Sequence, residues 1–162
     1  MFRYTSNPIL GPGRLWREQR ALSSLVEGPF EREITEVACC RMGIVRIDHV
    51  QLAMPAGLEA EAVNFYEGVL GIPHVPKPDH LAIRGGSWFE NGDVKVHLGV
   101  DSRFQPATKA HPAFIVDNVH TLAAAAINAG FAVNDDEPLD GFDRVYVTDP
   151  FGNRIELMQP NA

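Results

Sequence analysis

Ile47-Asp48-His49-Val50-Gln51-Leu52-Ala53-Met54 reads as a strand with a histidine near its start, leading into a helical pattern. It has an echo at His111-Pro112-Ala113-Phe114-Ile115-Val116, where a histidine again opens a strand pattern that runs into a helical one. The two histidines are 62 positions apart, and the glycines that end the helical patterns, Gly71 and Gly130, are 59 apart. A three-residue insertion before the first helix absorbs the difference. The register then holds to the end, because His97 and Glu156 are also 59 positions apart. The chain therefore reads as two copies of one unit, with a potential metal ligand on the first and last strand of each.

Working outward, the first unit predicts a strand over about 45–54 and a helix over 59–70, whose apolar positions include Ala62, Phe65, Tyr66, Val69 and Leu70. Strands near 73–76, 81–90 and 93–100 follow, with Asn91-Gly92-Asp93 as a hairpin turn. Residues 101–110 read as a linker. In the second unit Asp117 or Asn118 caps a helix that runs to Gly130, before strands near 131–135, 143–148 and 153–159. Asp149-Pro150-Phe151-Gly152-Asn153 is a dense turn signal between the last two. The predicted fold is α+β, with paired βαβββ modules over about 45–100 and 111–160 forming a curved mixed sheet around a cleft.

Strand parity decides which side chains share that cleft. Val94, Val96, Leu98 and Val100 form an apolar face, which leaves Lys95 and His97 on the other. Ile155 and Leu157 oppose Arg154, Glu156 and Met158, and Arg144 with Tyr146 opposes Val145 and Val147. Gln51 shares the His49 face, and the Trp88-Phe89 pair is split, one ring to the pocket and one to the core. Gln51, Trp88, Arg144 and Tyr146 are thus candidate substrate contacts, although for Arg144 a salt bridge to a cleft acid is slightly favoured over binding a substrate carboxylate. A lone strand histidine is more often a surface or hydrogen-bonding residue than a ligand; the common register sets these four residues apart. His74, His80 and His120 fall outside that register.

Composition narrows the class. The chain has 162 residues and a formal charge of −7, without a basic stripe to neutralise phosphates, which argues against nucleic-acid binding. No apolar run approaches the roughly 20 residues needed to span a bilayer. Cys39 and Cys40, the only cysteines, are adjacent and poorly placed to bridge each other, so a reducing cytoplasm is the expected location. Residues 1–41 carry six Arg and five Glu and lack the alternation that follows, so they read as an N-terminal extension to a domain over 42–162. They show no apolar signal core, and Met42-Gly43 offers an alternative native start.

Five motifs carry a resemblance: Ile47-Asp48-His49-Val50, Asn64-Phe65-Tyr66-Glu67-Gly68-Val69-Leu70-Gly71, His97-Leu98-Gly99, His111-Pro112-Ala113-Phe114, and Asp149 through Leu157. Together they resemble the vicinal oxygen chelate superfamily over roughly 44–160. That superfamily includes glyoxalase I, bleomycin-resistance proteins, fosfomycin-resistance thiol transferases and extradiol dioxygenases. The resemblance implies metal ligands at His49, His97, His111 and Glu156, a small-molecule substrate, and a homodimer, sometimes with the cleft built from two chains. Glyoxalase I enzymes usually have a Glu where His97 stands, so their own reaction is not the expected one. His49, His111 and Glu156 resemble the two-His, one-carboxylate set of the dioxygenases and fosfomycin transferases.

Three imidazoles and one carboxylate suit a divalent Fe, Mn, Co, Ni or Zn ion acting as a Lewis acid, with Glu156 or His97 as the catalytic base. The expected activity is isomerase or lyase proton transfer, or ring-cleaving dioxygenation, on a small oxygenated molecule chelated through two oxygens. The alternative is a metal-free, ligand-sequestering protein resembling the bleomycin-resistance type. Thiol transfer to an electrophile ranks third, since no thiol-cofactor site is marked.

Overall fold

The computed structural model describes residues 43–161. The first module runs β1 (Val50–Met54), α1 (Glu59–Tyr66), β2 (His74–Val75), α2 (Asp79–Ala82), β3 (Trp88–Asn91) and β4 (Val94–Val100). The second runs β5 (Ala113–Ile115), α3 (Val119–Asn128), β6 (Val133–Asn134), β7 (Phe142–Thr148) and β8 (Arg154–Pro160). Each module forms a four-stranded sheet of equivalent order, β1-β4-β3-β2 and β5-β8-β7-β6. β1 and β5 run parallel to their neighbours β4 and β8, and the remaining pairs are antiparallel. This is the paired βαβββ architecture. The extension at residues 1–41 lies outside the described residues. Among the described residues no helix is long and apolar enough to cross a membrane.

Local chemistry explains the helices. Glu59 and Glu61 occupy the first turn of α1, where carboxylates complement the helix dipole, and Ala62, Phe65 and Tyr66 are buried on one stripe. Asn118 caps α3, its side chain accepting from the Thr121 amide at 2.8 Å. Inward-facing Leu52, Met54, Phe89, Val96 and Leu98 of the first sheet join Val145, Val147, Ile155 and Leu157 of the second in one core.

The strand expected over 81–90 begins only at Trp88, and α2 with a bend occupies the preceding residues. Pro76 and Pro78 interrupt pairing upstream. Gly86 adopts φ +79 and packs so closely on β4 that a Cβ there would run into the Leu98 carbonyl oxygen. Gly86 donates its amide to Glu59 Oε1 at 2.9 Å, which fastens the base of this loop to α1.

Two hydrogen bonds, one buried and one half-buried, latch the modules together. Tyr66 on α1 donates its hydroxyl to Asp149 Oδ2 at 2.9 Å, and the Asn153 side-chain amide donates to the Ala53 carbonyl at 2.9 Å. The same turn closes on itself, with Asp149 Oδ1 accepting from the amides of Phe151 and Asn153 at 2.9 and 2.8 Å. Burial pushes the Asp149 carboxyl above its ordinary value, against the pull of these hydrogen bonds.

Candidate metal and substrate site

On the first sheet, β1 pairs with β4 so that Gln51 lies opposite His97, and Trp88 lies opposite His97 from β3. His49 precedes β1 by one residue on the same face. Three rings stack across the strands: Trp88 on His97 with centroids 4.1 Å apart and planes 8° apart, and His97 on His49 at 4.3 Å and 24°. His97 is therefore buried, its side chain only 8% exposed, although it faces away from the apolar core. Its Nε2 lies 3.3 Å from Glu90 Oε1. Burial pushes the His97 imidazole below its ordinary value, while Glu90 pulls it the other way. His49 Nδ1 contacts Asp48 Oδ1 at 3.0 Å, and Lys95 reaches the other Asp48 oxygen at 3.5 Å.

On the second sheet, Ala113 pairs with Glu156, and Tyr146 faces Glu156 from β7. His111, two residues before Ala113, thus projects to the Glu156 side, with its Nε2 3.1 Å from Glu156 Oε2. His111 Nδ1 lies 2.9 Å from the Lys109 carbonyl oxygen. The other Glu156 oxygen accepts from Arg144 at 2.7 Å, and Arg144 also donates to the Tyr146 hydroxyl at 2.7 Å. Burial pushes the Glu156 carboxyl up, but hydrogen bonds from Arg144, His111 and Tyr146 outweigh it and hold the group below its ordinary value. Arg154 stacks its guanidinium 3.4 Å from the Tyr146 ring centroid and pairs with Asp136 at 3.1 Å.

The four ligand candidates therefore stand as two pairs, His49 with His97 and His111 with Glu156, one pair per module. Among the described residues no three His, Cys, Asp or Glu side chains group to hold a metal ion. The second pair has the right donor chemistry. A carbonyl oxygen can only accept, so His111 donates from Nδ1, and the lone pair on Nε2 then faces a carboxylate oxygen. Two acceptors at this separation need a cation between them, either a proton or a metal ion. A backbone carbonyl on the far ring nitrogen is also the usual arrangement that orients a metal-binding histidine.

Of the substrate-contact candidates, Gln51 and Trp88 line one cavity of about 350 Å³ on the first module. A second, of about 520 Å³, lies between β1 and β5 and has both Gln51 and His111 in its wall. Arg144 and Tyr146 are engaged with Glu156. Glu90 and Asp48, the acids beside His97 and His49, are not among the site residues predicted from the sequence. Parity carried a signal for Glu90, which shares the face of Trp88 and lies opposite Lys95. Nothing local marked the Lys109 carbonyl or the Tyr66–Asp149 latch.

Comparison with known proteins agrees with this architecture. A solved structure of a protein from Bacillus anthracis, placed by its name in the glyoxalase family, is 45% identical to this chain over 75% of it and 99% of that chain, with a TM-score of 0.71. The fosfomycin resistance protein FosX from Listeria monocytogenes shares the fold at 15% identity and a TM-score of 0.60, over 74% of this chain and 96% of its own. TnmS3, an antibiotic binding protein from Streptomyces sp. CB03234, does so at 21% identity and 0.56, over 74% and 99%. No functionally curated protein gives a significant match. The model of the Glyoxalase/Bleomycin resistance protein/Dioxygenase superfamily matches residues 46–157. Repeated modules, equivalent sheets and this match over most of the chain lead to one conclusion: the protein belongs to the Glyoxalase/Bleomycin resistance protein/Dioxygenase superfamily.

Proposed function

We propose that the protein is a divalent-metal-dependent enzyme acting on a small oxygenated molecule, with His111 and Glu156 as metal donors in one chain and His49 of a second copy as the third. The observation that carries this reading is the acceptor pair formed by His111 Nε2 and Glu156 Oε2, 3.1 Å apart. When bound, the ion supplies Lewis-acid stabilisation of negative charge developing on a substrate oxygen. Glu156, held low, is a poor base and a good anionic donor. His97 takes the proton at Nδ1, its Nε2 being held by Glu90, which stabilises the imidazolium formed. Proton transfer of the isomerase or lyase type is the chemistry this pair supports best.

Support for a second copy comes from the edges. β1 and β5 are both outer strands, and the run leading into β1 exposes Ile44 at 98%, Val45 at 91% and Ile47 at 78%. An unpaired strand edge with an apolar approach is a template for another chain.

Elemental analysis of the purified full-length chain tests the proposal, repeated after chelation and reloading with Fe(II), Mn, Ni, Co or Zn. About one ion per chain, lost on Glu156→Ala substitution, is the expected result. An absence of stoichiometric metal under all loadings favours a metal-free ligand-sequestering protein instead. One observation supports that second reading: Arg144 already neutralises Glu156 at 2.7 Å.

A further inference from the structure

We propose that Lys77 and Arg84 form an oxyanion subsite on the first module, recognising a carboxylate or phosphonate carried by a small molecule with a planar apolar body. The inference rests on the proposed reading that the sheet face carrying His97 serves a small-molecule ligand, but not on any metal.

The connection between β2 and β3 carries both cations. Lys77 donates to the Gly85 carbonyl, which ties the two ends of the loop together, and the Gly86 amide fastens the loop base to Glu59. The side chains so placed, Lys77 and Arg84, line the cavity of about 350 Å³ together with Gln51, Trp88 and Gly99. Gly99 matters because a Cβ there would come within 2.8 Å of Gln51 Nε2; its absence lets the Gln51 amide lie against β4 in the cavity wall.

Charge and position together mark this pair: Arg46, Arg103 and Lys109 also stand outside the ion pairs of the described residues, but only Lys77 and Arg84 line this cavity. The other cations of the sheet faces are engaged: Lys95 with Asp48, Arg144 with Glu156, and Arg154 with Asp136. Among the described residues neither Lys77 nor Arg84 has a carboxylate within ion-pair distance, and no acid lines their cavity. In a chain of net charge −7, two cations left without acids around one concavity are a feature that an anion would complete. The cavity has the size of a small-ligand pocket. Trp88 in its wall offers a ring surface to the body of the ligand, while the Gln51 amide adds a neutral donor.

The test uses the full-length protein with chelator present, so its result is independent of whether the metal reading stands. Benzoate, phenylphosphonate and neutral benzyl alcohol are titrated while the Trp88 indole resonance is followed by heteronuclear NMR. Saturable binding of at least one anionic probe, about tenfold or more tighter than benzyl alcohol, is expected. Preference between benzoate and phenylphosphonate identifies which oxyanion the site takes. Arg84→Gln and Lys77→Gln should each weaken the preferred anion about tenfold, with Arg84→Lys partly restoring it and Arg103→Gln, an exposed change outside the cavity lining, having no effect. Absence of saturable anion binding, equal binding of the neutral probe, or indifference to both charge removals would overturn the proposal.

Discussion

His111 presents its Nε2 to Glu156 Oε2 at 3.1 Å while its Nδ1 is held 2.9 Å from the Lys109 carbonyl oxygen. The backbone bond places a proton on Nδ1, so Nε2 is the ring atom that meets the carboxylate, through either a proton or a metal ion. Removing the carboxylate charge should therefore remove the cation site. Glu156→Gln is expected to weaken Mn(II) or Ni(II) binding by about a hundredfold or more in calorimetric titration, with the far-ultraviolet circular dichroism unchanged. Retained affinity would show that Glu156 is not a ligand.

His97 is packed between Trp88 and His49 and bonded to Glu90, whereas His111 has its Nε2 directed at Glu156. His111→Ala should accordingly lower metal affinity far more than His97→Ala. The latter should instead lower stability by about 1–3 kcal/mol, because it removes the middle ring of the stack and leaves a void. Parallel metal titrations and urea unfolding of the two variants check this, and equal losses of metal would make His97 a ligand.

If the third donor comes from a second copy, inactive chains should complement one another. His49→Ala and Glu156→Gln, each devoid of tight metal binding alone, should regain about one site per four chains after joint unfolding and refolding, because half of the reassembled dimers are mixed and each mixed dimer holds one intact site. A mixture that binds no more metal than its components would place the whole site within one chain.

Tyr66→Phe removes one of the hydrogen bonds on the Asp149 carboxyl and loosens the latch between modules. A loss of about 1.5–3 kcal/mol is expected at neutral pH, seen as a lower urea midpoint with an unchanged slope. Burial already raises Asp149, and loss of the tyrosine donor raises it further. For a carboxyl raised in the folded state, stability falls as pH rises through the folded value. The variant's deficit should therefore shrink as the pH is taken toward and below the ordinary 3.8.

Gly86→Ala should be among the most damaging single-methyl additions. The residue sits at φ +79, and its new Cβ would meet backbone, the Leu98 carbonyl oxygen, which cannot rotate away. Destabilisation of about 3 kcal/mol is expected from thermal unfolding, with the loop carrying Lys77 and Arg84 displaced. A variant as stable as the parent would contradict the close packing of this loop on β4.

Much of this molecule is legible along the chain because its signals are short-range. Alternation in Val94–Val100 and Arg154–Pro160 separates His97 and Glu156 from the core whatever lies around them, and Asn118 announces a helix start through its own side chain. The strand expected across 81–90 fails for a non-local reason: Gly85 and Gly86 let the chain bend and approach β4, which no count of apolar residues in that segment reveals.

By itself the sequence determined the order of two βαβββ modules and the face on which His49, His97, His111 and Glu156 stand, since side-chain alternation and helical spacing are properties of the local backbone. Only the tertiary structure decided which of those residues meet. Strand register brought His111 to Glu156 and stacked His49 on His97, and the same packing joined Tyr66 to Asp149 and left Lys77 and Arg84 without acids around one cavity. These relations span up to 83 positions of chain, as from Tyr66 to Asp149, and are set by how sheets pair and pack rather than by any pattern within a strand.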